Sequence, residues 1–103
     1  MDKNEVIEKL KLYTEIIKEH FPVKLVILYG SYVKESQHYD SDIDVAVVLE
    51  KHEENILDIE HKLFKLRRAI DLRIEPVIIE MDSIDLGGFR AEIMKTGEII
   101  YQA

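Results

Sequence analysis

Residues 25–49 read LVILYGSYVKESQHYDSDIDVAVVL, and the architecture of the whole chain follows from how this stretch folds. Leu25 to Tyr29 is a continuous apolar run with two β-branched residues, stopped by Gly30. Its length and composition predict a strand buried on both faces. Asp42 to Leu49 predicts a second strand, paired with the first. The segment between them, Ser31 to Ser41, is polar, and its first part can begin a short helix.

Outward from this centre the pattern alternates. From Asn4 to His20, Val6, Leu10, Tyr13 and Ile17 recur at helical spacing, with Ile7, Leu12 and Ile16 widening the apolar stripe. Pro22 ends that helix. Asn55 to Arg68 predicts a second helix, with Ile56, Ile59, Leu63 and Leu66 facing the core. Arg73 to Ile79 predicts a third strand, and Pro76 within it argues for an edge position or a bulge. Asp82 or Ser83 can cap a further helix over Phe89 to Lys95, with Gly87-Gly88 irregular before it and Thr96-Gly97 ending it. Glu98 to Tyr101 forms a short last strand or tail. The order αβ(α)βαβαβ predicts an α/β fold, a small mixed sheet with helices packed on it, as a single domain over residues 1–103.

Composition narrows the function classes. The chain carries 14 Lys and Arg against 21 Asp and Glu, a net charge of −7. That balance argues against a protein that grips a long nucleic acid by itself, which needs bases arrayed against phosphates. Lys62, Lys65, Arg67 and Arg68 do cluster, and on a helix this reads as a solvated face. There are no cysteines, hence no disulfide framework and no thiolate metal site. His20, His38, His52 and His61 lack metal-ligand spacing. No apolar run approaches a membrane span and no signal peptide precedes the acidic start, so a cytoplasmic protein is expected. A chain of 103 residues buries a modest core, and a partner or oligomer would add to its stability.

The chemistry gathers in two places. Gly30-Ser31 ends the first strand: glycine lets a phosphate approach the backbone, and the serine hydroxyl with helix-start N–H groups can hold it. A lone Gly-Ser is more often an ordinary turn. Asp42 and Asp44 are two apart on a strand, so both carboxylates leave the same face. Two anions so close to a core call for a cation, and magnesium suits carboxylate and phosphate oxygens together. Asp-x-Asp alone fits equally a pair of solvated acids. The combination is more specific: Gly-Ser, ten residues, then Asp-x-Asp. At average residue frequencies, that match arises by chance in a chain this long with odds on the order of one in a thousand.

On these residues the chain resembles the DNA polymerase β-like nucleotidyltransferases, through their GS-x10-D-x-D signature, and in its length the minimal nucleotidyltransferase (MNT) branch. The resemblance implies two Mg2+ ions, ATP as substrate, and transfer of AMP to a hydroxyl with release of pyrophosphate. Asp42 and Asp44 would be catalytic metal ligands, with Gly30, Ser31, Lys34 and Ser41 at the nucleotide. A third carboxylate is expected on a neighbouring strand. Glu75, within Arg73-Ile-Glu-Pro76, and Asp71, at the helix–strand junction, compete for it, and Glu75 is preferred. Val33-Lys34-Glu35 departs from the small-Arg-Gly run of many relatives, which leaves the phosphate loop's details open. Arg73 can pair with a site carboxylate or phosphate, or stay on the sheet surface. Tyr29 reads as core, and Tyr32 and Tyr39 as loop tyrosines that either contact a base or, as is commoner, are simply exposed.

The MNT branch is typically paired with a small helical HEPN protein as toxin and antitoxin. The resemblance therefore implies a partner whose tyrosine receives AMP, and a homo- or hetero-oligomer. Two alternatives stand beside this: an antitoxin or regulator that acts by binding alone, and a small-molecule, antibiotic-type nucleotidyltransferase. Neither membrane nor stable nucleic-acid binding is expected.

Overall fold

The computed structural model describes residues 2–33, 41–51, 54–81 and 88–103. Helix α1 spans Lys3–Ile17, with the Asp2 side chain capping it by accepting from the Glu5 N–H at 2.9 Å. That bond meets one of the orphan donors of the first turn. Strand β1 (Val23–Leu28) follows, then a single 3₁₀ turn, Gly30–Tyr32, where a short helix was expected. Strand β2 is Ile43–Leu49, and helix α2 is Ile56–Leu66, capped by the Asn55 side chain on the Leu57 N–H at 2.8 Å. A 3₁₀ turn, Arg67–Ala69, leads to strand β3 (Ile74–Glu80). Helix α3 (Gly88–Thr96) and strand β4 (Glu98–Gln102) complete the chain. Lys34, His38, Tyr39, His52, Asp82, Ser83 and Gly87 lie outside the described residues.

The four strands of the described residues form one mixed sheet in the order β3-β2-β1-β4. β1 pairs antiparallel with β2 and with β4, and β2 pairs parallel with β3. Parallel neighbours need a crossover, and α2 supplies it. β3 lies at the sheet edge, where Pro76 was expected to put it. Ile43 N–H donates to the Arg73 carbonyl at 2.8 Å, so odd-numbered residues of β3 turn their backbone toward β2. Pro76 then faces its missing N–H outward, where no ladder bond is lost.

Burial follows the period of two. Val26 and Leu28 of β1, and Ile43, Val45, Val47 and Leu49 of β2, join the cluster under α1 and α2. Leu25, Ile27, Ala46, Val48 and Ile79 face the other way, beneath Ile93 of α3. The apolar run of β1 is thus buried on both faces, as its composition predicts. Val6, Leu10, Tyr13 and Ile17 of α1 and Ile59 and Leu63 of α2 are buried as expected. Two expectations need correction. Leu12 is 58% exposed, because its position falls outside the arc that α1 turns to the sheet. Tyr32 is not an exposed loop residue but is fully buried: the 3₁₀ turn swings its ring under the sheet into the α1/α2 core.

Tyr13 joins the two helices of that core: its hydroxyl donates to the Leu63 carbonyl at 2.8 Å. Burial raises its pKa, so the ring keeps its proton and remains a donor. Tyr13→Phe strips a buried carbonyl of its partner and is expected to cost about 1–2 kcal/mol. Leu12→Ala, on the exposed side of the same helix, should stay within about 0.5 kcal/mol. Urea denaturation of both variants checks the pair, and equal losses would contradict this assignment.

Candidate active site

The site is assembled by the ends of β1, β2 and β3. Gly30 leaves β1 with φ +79°, in the left-handed region that glycine tolerates and side chains resist. Space forbids a side chain there as well. A Cβ at Gly30 would run into the Asp44 carboxylate, with Asp44 Cγ at 3.2 Å and Cβ at 3.3 Å. The Tyr29 N–H donates to the Asp44 carbonyl at 3.1 Å, and Val33 N–H to the Gly30 carbonyl at 3.2 Å. Backbone bonding therefore holds the Gly-Ser turn against Asp44, with Ser31 half-buried in it.

Across the parallel ladder, Asp44 stands opposite Glu75. Paired strands lie about 4.8 Å apart, so directly facing side chains are neighbours. Asp42, two residues before Asp44, emerges on the same face just outside β2, preceded by half-buried Ser41. Burial pushes the Asp44 carboxyl above its usual range, and the charges of Asp42 and Glu75 push it further. Burial also raises the Tyr29 hydroxyl, with Asp44 and then Glu75 adding to the shift. Asp42, Asp44 and Glu75 line one cleft of about 620 Å³, together with Tyr29, Ile56, Glu60, Phe64, Pro76, Val77 and Ile78. Pro76 and Ile78 alternate with Glu75 and Val77 across the pleat, so this cleft wraps around the open edge of β3 to reach α2.

Asp71 belongs to different surroundings. Lys9 Nζ donates to its Oδ2 at 2.7 Å and Arg73 Nη2 to the same atom at 2.8 Å. Arg73 Nε and the Arg73 backbone N–H reach Oδ1 at 3.1 and 2.8 Å. With its side chain only 9% exposed, Asp71 ties α1 to the junction before β3, and it is absent from the cleft lining. Arg73 is engaged in this pair. On the cleft side, Glu75 has another partner: Arg67 Nη1 lies 3.4 Å from Glu75 Oε1 and donates to the Ile74 carbonyl at 2.8 Å.

Arg67, expected on a solvated face, lies beside Glu75 and the Phe64 ring. Ile56, expected toward the core, lines the cleft with Glu60 and Phe64, which patterning did not single out. The spacing of those three at i, i+4 and i+8 was visible; their proximity to acids some 15 residues away in sequence was not. Tyr29, expected in the core, is half-buried and lines the cleft. The donor set is hard oxygen throughout and fits a divalent cation better than a soft metal. Among the described residues, no three Asp, Glu or His side chains are gathered closely enough to hold an ion as they stand. Burial first, and then the charges of Asp42 and Glu75, disfavour the ionised Asp44 carboxyl, a cost that a bound cation would relieve.

The family profile for polymerase beta nucleotidyltransferases matches residues 8–103. The chain belongs to that family. In sequence it is similar to two candidate protein adenylyltransferases of Methanocaldococcus jannaschii. MJ1217 is 39% identical over 44 residues, which is 43% of this chain and 45% of that protein. MJ1379 is 35% identical over 49 residues, 48% of this chain and 49% of that one. The match thus spans about half the length of each curated relative. In fold, the chain resembles a candidate nucleotidyltransferase from Sulfolobus solfataricus, with a TM-score of 0.71 at 16% identity over 97% of this chain and 83% of that one. It also resembles a toxin–antitoxin solved with AMP-PNP, with a TM-score of 0.53 at 20% identity. A mutant of the MntA–HpeT toxin–antitoxin gives a TM-score of 0.56 at 22% identity. Both matches cover 100% of this chain and 75% of the other.

The arrangement around Asp71 sets an acid dependence. Hydrogen bonds from Arg73, then from Lys9, hold its carboxyl well below the usual carboxylate range. The folded state therefore takes up this proton at lower pH than the unfolded chain. The stabilisation is complete above the unfolded value of about 3.9 and fades as pH falls through the folded one. Both cations are one-third exposed, and solvent screens part of the gain. Asp71→Asn should cost about 1–2 kcal/mol at pH 7 and flatten the acid limb of stability below pH of about 4. Equal acid limbs in the two proteins would contradict this.

Proposed function

We propose that this nucleotidyltransferase-family chain transfers AMP from ATP to a tyrosine hydroxyl of a small helical HEPN partner, silencing that partner as an antitoxin in the cytoplasm. The observation that carries the proposal is the juxtaposition of Gly30 against Asp44 and of Asp44 against Glu75, with all three acids on one cleft. The names of the adenylyltransferase and toxin–antitoxin relatives support the reaction and the kind of partner.

In this reading Gly30 makes room for the Asp44 carboxylate at the turn, and Ser31 donates to the triphosphate. Asp42, Asp44 and Glu75 are the ligands for two Mg2+ ions. Those ions, when bound, neutralise phosphate oxygens and assist the attacking and leaving oxygens of an in-line displacement. The acceptor oxygen bonds to the α-phosphorus while the bond to the pyrophosphate oxygen breaks. Glu75, on the strand nearest the open edge, receives the hydroxyl proton. Tyr29, whose hydroxyl keeps its proton through burial beside these acids, is a donor at the cleft wall. AMP adds a negative charge to the acceptor tyrosine and disrupts whatever that residue contacts.

A chain incubated with Mg2+, α-labelled ATP and the protein encoded beside its gene should label that protein. Removing the acids removes several kcal/mol of cation-borne charge stabilisation. Asp42→Ala/Asp44→Ala should therefore cut labelling by at least about a hundredfold. Neutralisation of the partner that survives this double replacement would overturn the catalytic reading in favour of an antitoxin that acts by binding.

A further inference from the structure

Beyond the carboxylates, the cleft adjoins a second cavity of about 260 Å³ lined by His61, Phe64, Lys65, Arg67 and Arg68. Phe64 lines both, so the two are neighbours along α2. The second cavity gathers three of the 14 lysines and arginines in a chain of net charge −7. His61, Phe64, Lys65 and Arg68 fall at i, i+3, i+4 and i+7, on one face of the helix and the turn that continues it. Arg67 is held in place: its guanidinium stacks 4.7 Å over the Phe64 ring, and its Nη1 bonds the Ile74 carbonyl. Its Nε is buried without a hydrogen-bond partner, a donor whose desolvation is uncompensated. Lys65 and Arg68 are exposed, and no ion pair engages either among the described residues.

The position of this basic cavity follows from the sheet order. Gly30 packs on Asp44, Asp44 stands opposite Glu75, and Glu75 meets Arg67. The four lie in sequence from β1, through β2 and β3, to the outer edge. In an in-line displacement the attacking and leaving oxygens lie on opposite sides of the phosphorus. A triphosphate whose leaving end is held at the Gly30 turn would therefore be attacked from the β3 side, where Arg67 joins Glu75 to the lining of the basic cavity. Charge at that end acts on the acceptor, not on the leaving group.

We infer that the cavity lined by Phe64, Lys65, Arg67 and Arg68 is an acceptor subsite that takes an acidic segment of the acceptor protein, beside the hydroxyl to be modified. The inference rests on the transfer reaction proposed above for the neighbouring carboxylates. An acidic acceptor would otherwise be repelled by the chain's net charge and by Asp42, Glu60 and Glu75. The local cations offset that repulsion and restrict docking to one orientation. A single compact pocket suits a short peptide segment; a polynucleotide needs cations spread along successive phosphates.

The test is binding to the full chain, read by amide chemical shifts at low salt without ATP or metal. The probes are a ten-residue Glu-rich peptide with a central tyrosine and its Gln counterpart. The Glu peptide should shift residues 61–68 and bind at least tenfold more tightly than the Gln peptide. Lys65→Glu/Arg68→Glu should abolish that preference, and Lys65→Arg/Arg68→Lys should retain it. Because both side chains are exposed, neither pair endangers the fold. Equal affinity for the two peptides, or unchanged binding in the charge-reversed variant, overturns the inference. So does pyrophosphate displacing the Glu peptide from residues 61–68, which would make this a leaving-group site. Since no chemistry is read, loss of AMP transfer in the labelling experiment bears on the proposed reaction and leaves this measurement independent.

Discussion

The register of β2 against its two neighbours is the constraint on which the rest of the structure depends. A one-residue slip in a strand exchanges its faces. In β2 such a slip would carry Asp44 into the α1/α2 core and bring Val45 to the cleft. The alternation of Ile43, Val45, Val47 and Leu49 with Ala46 and Val48, each set in its own apolar cluster, makes that exchange costly. The same register sets Asp44 opposite Glu75 on one side and against Gly30 on the other. Core packing and site geometry are therefore two consequences of one alignment.

Charge is distributed with the same economy. The acids that could neutralise one another's purpose are separated by the turn that precedes β3. Asp71 points back to Lys9 and Arg73, where hydrogen bonds keep it ionised and structural. Glu75, on the strand itself, faces the cleft and only approaches Arg67 at 3.4 Å. Arg67 also caps the outward-facing Ile74 carbonyl, which together with Pro76 makes the exposed edge of β3 a poor template for another strand. A residue that protects an edge thus also begins the basic surface next to the acids.

Much of the fold was legible because burial leaves periodic traces. The helical stripe of Val6, Leu10, Tyr13 and Ile17 and the double-sided burial of Leu25 to Leu28 could be read without coordinates, as could the edge position signalled by Pro76. Where the traces were local and weak, the reading failed. Leu12 sits within an apolar helix but on its outer face, and Tyr32 sits in a polar stretch but turns inward. Neither fact is encoded in neighbouring residue types; each depends on how the element is rotated against the sheet.

For the site, the sequence by itself determined that Asp42 and Asp44 share a face and that a glycine turn follows the first strand. Strand alternation and glycine's freedom at positive φ are local properties. Only the tertiary structure decided that Glu75, and not Asp71, shares the cleft with them. It also brought Tyr29, Phe64 and Arg67 to that cleft's borders. Those placements depend on the parallel pairing of β2 with β3 through the α2 crossover, a contact between residues some 30 positions apart. No local pattern specifies such a pairing, because it is selected by the burial of both sheet faces at once.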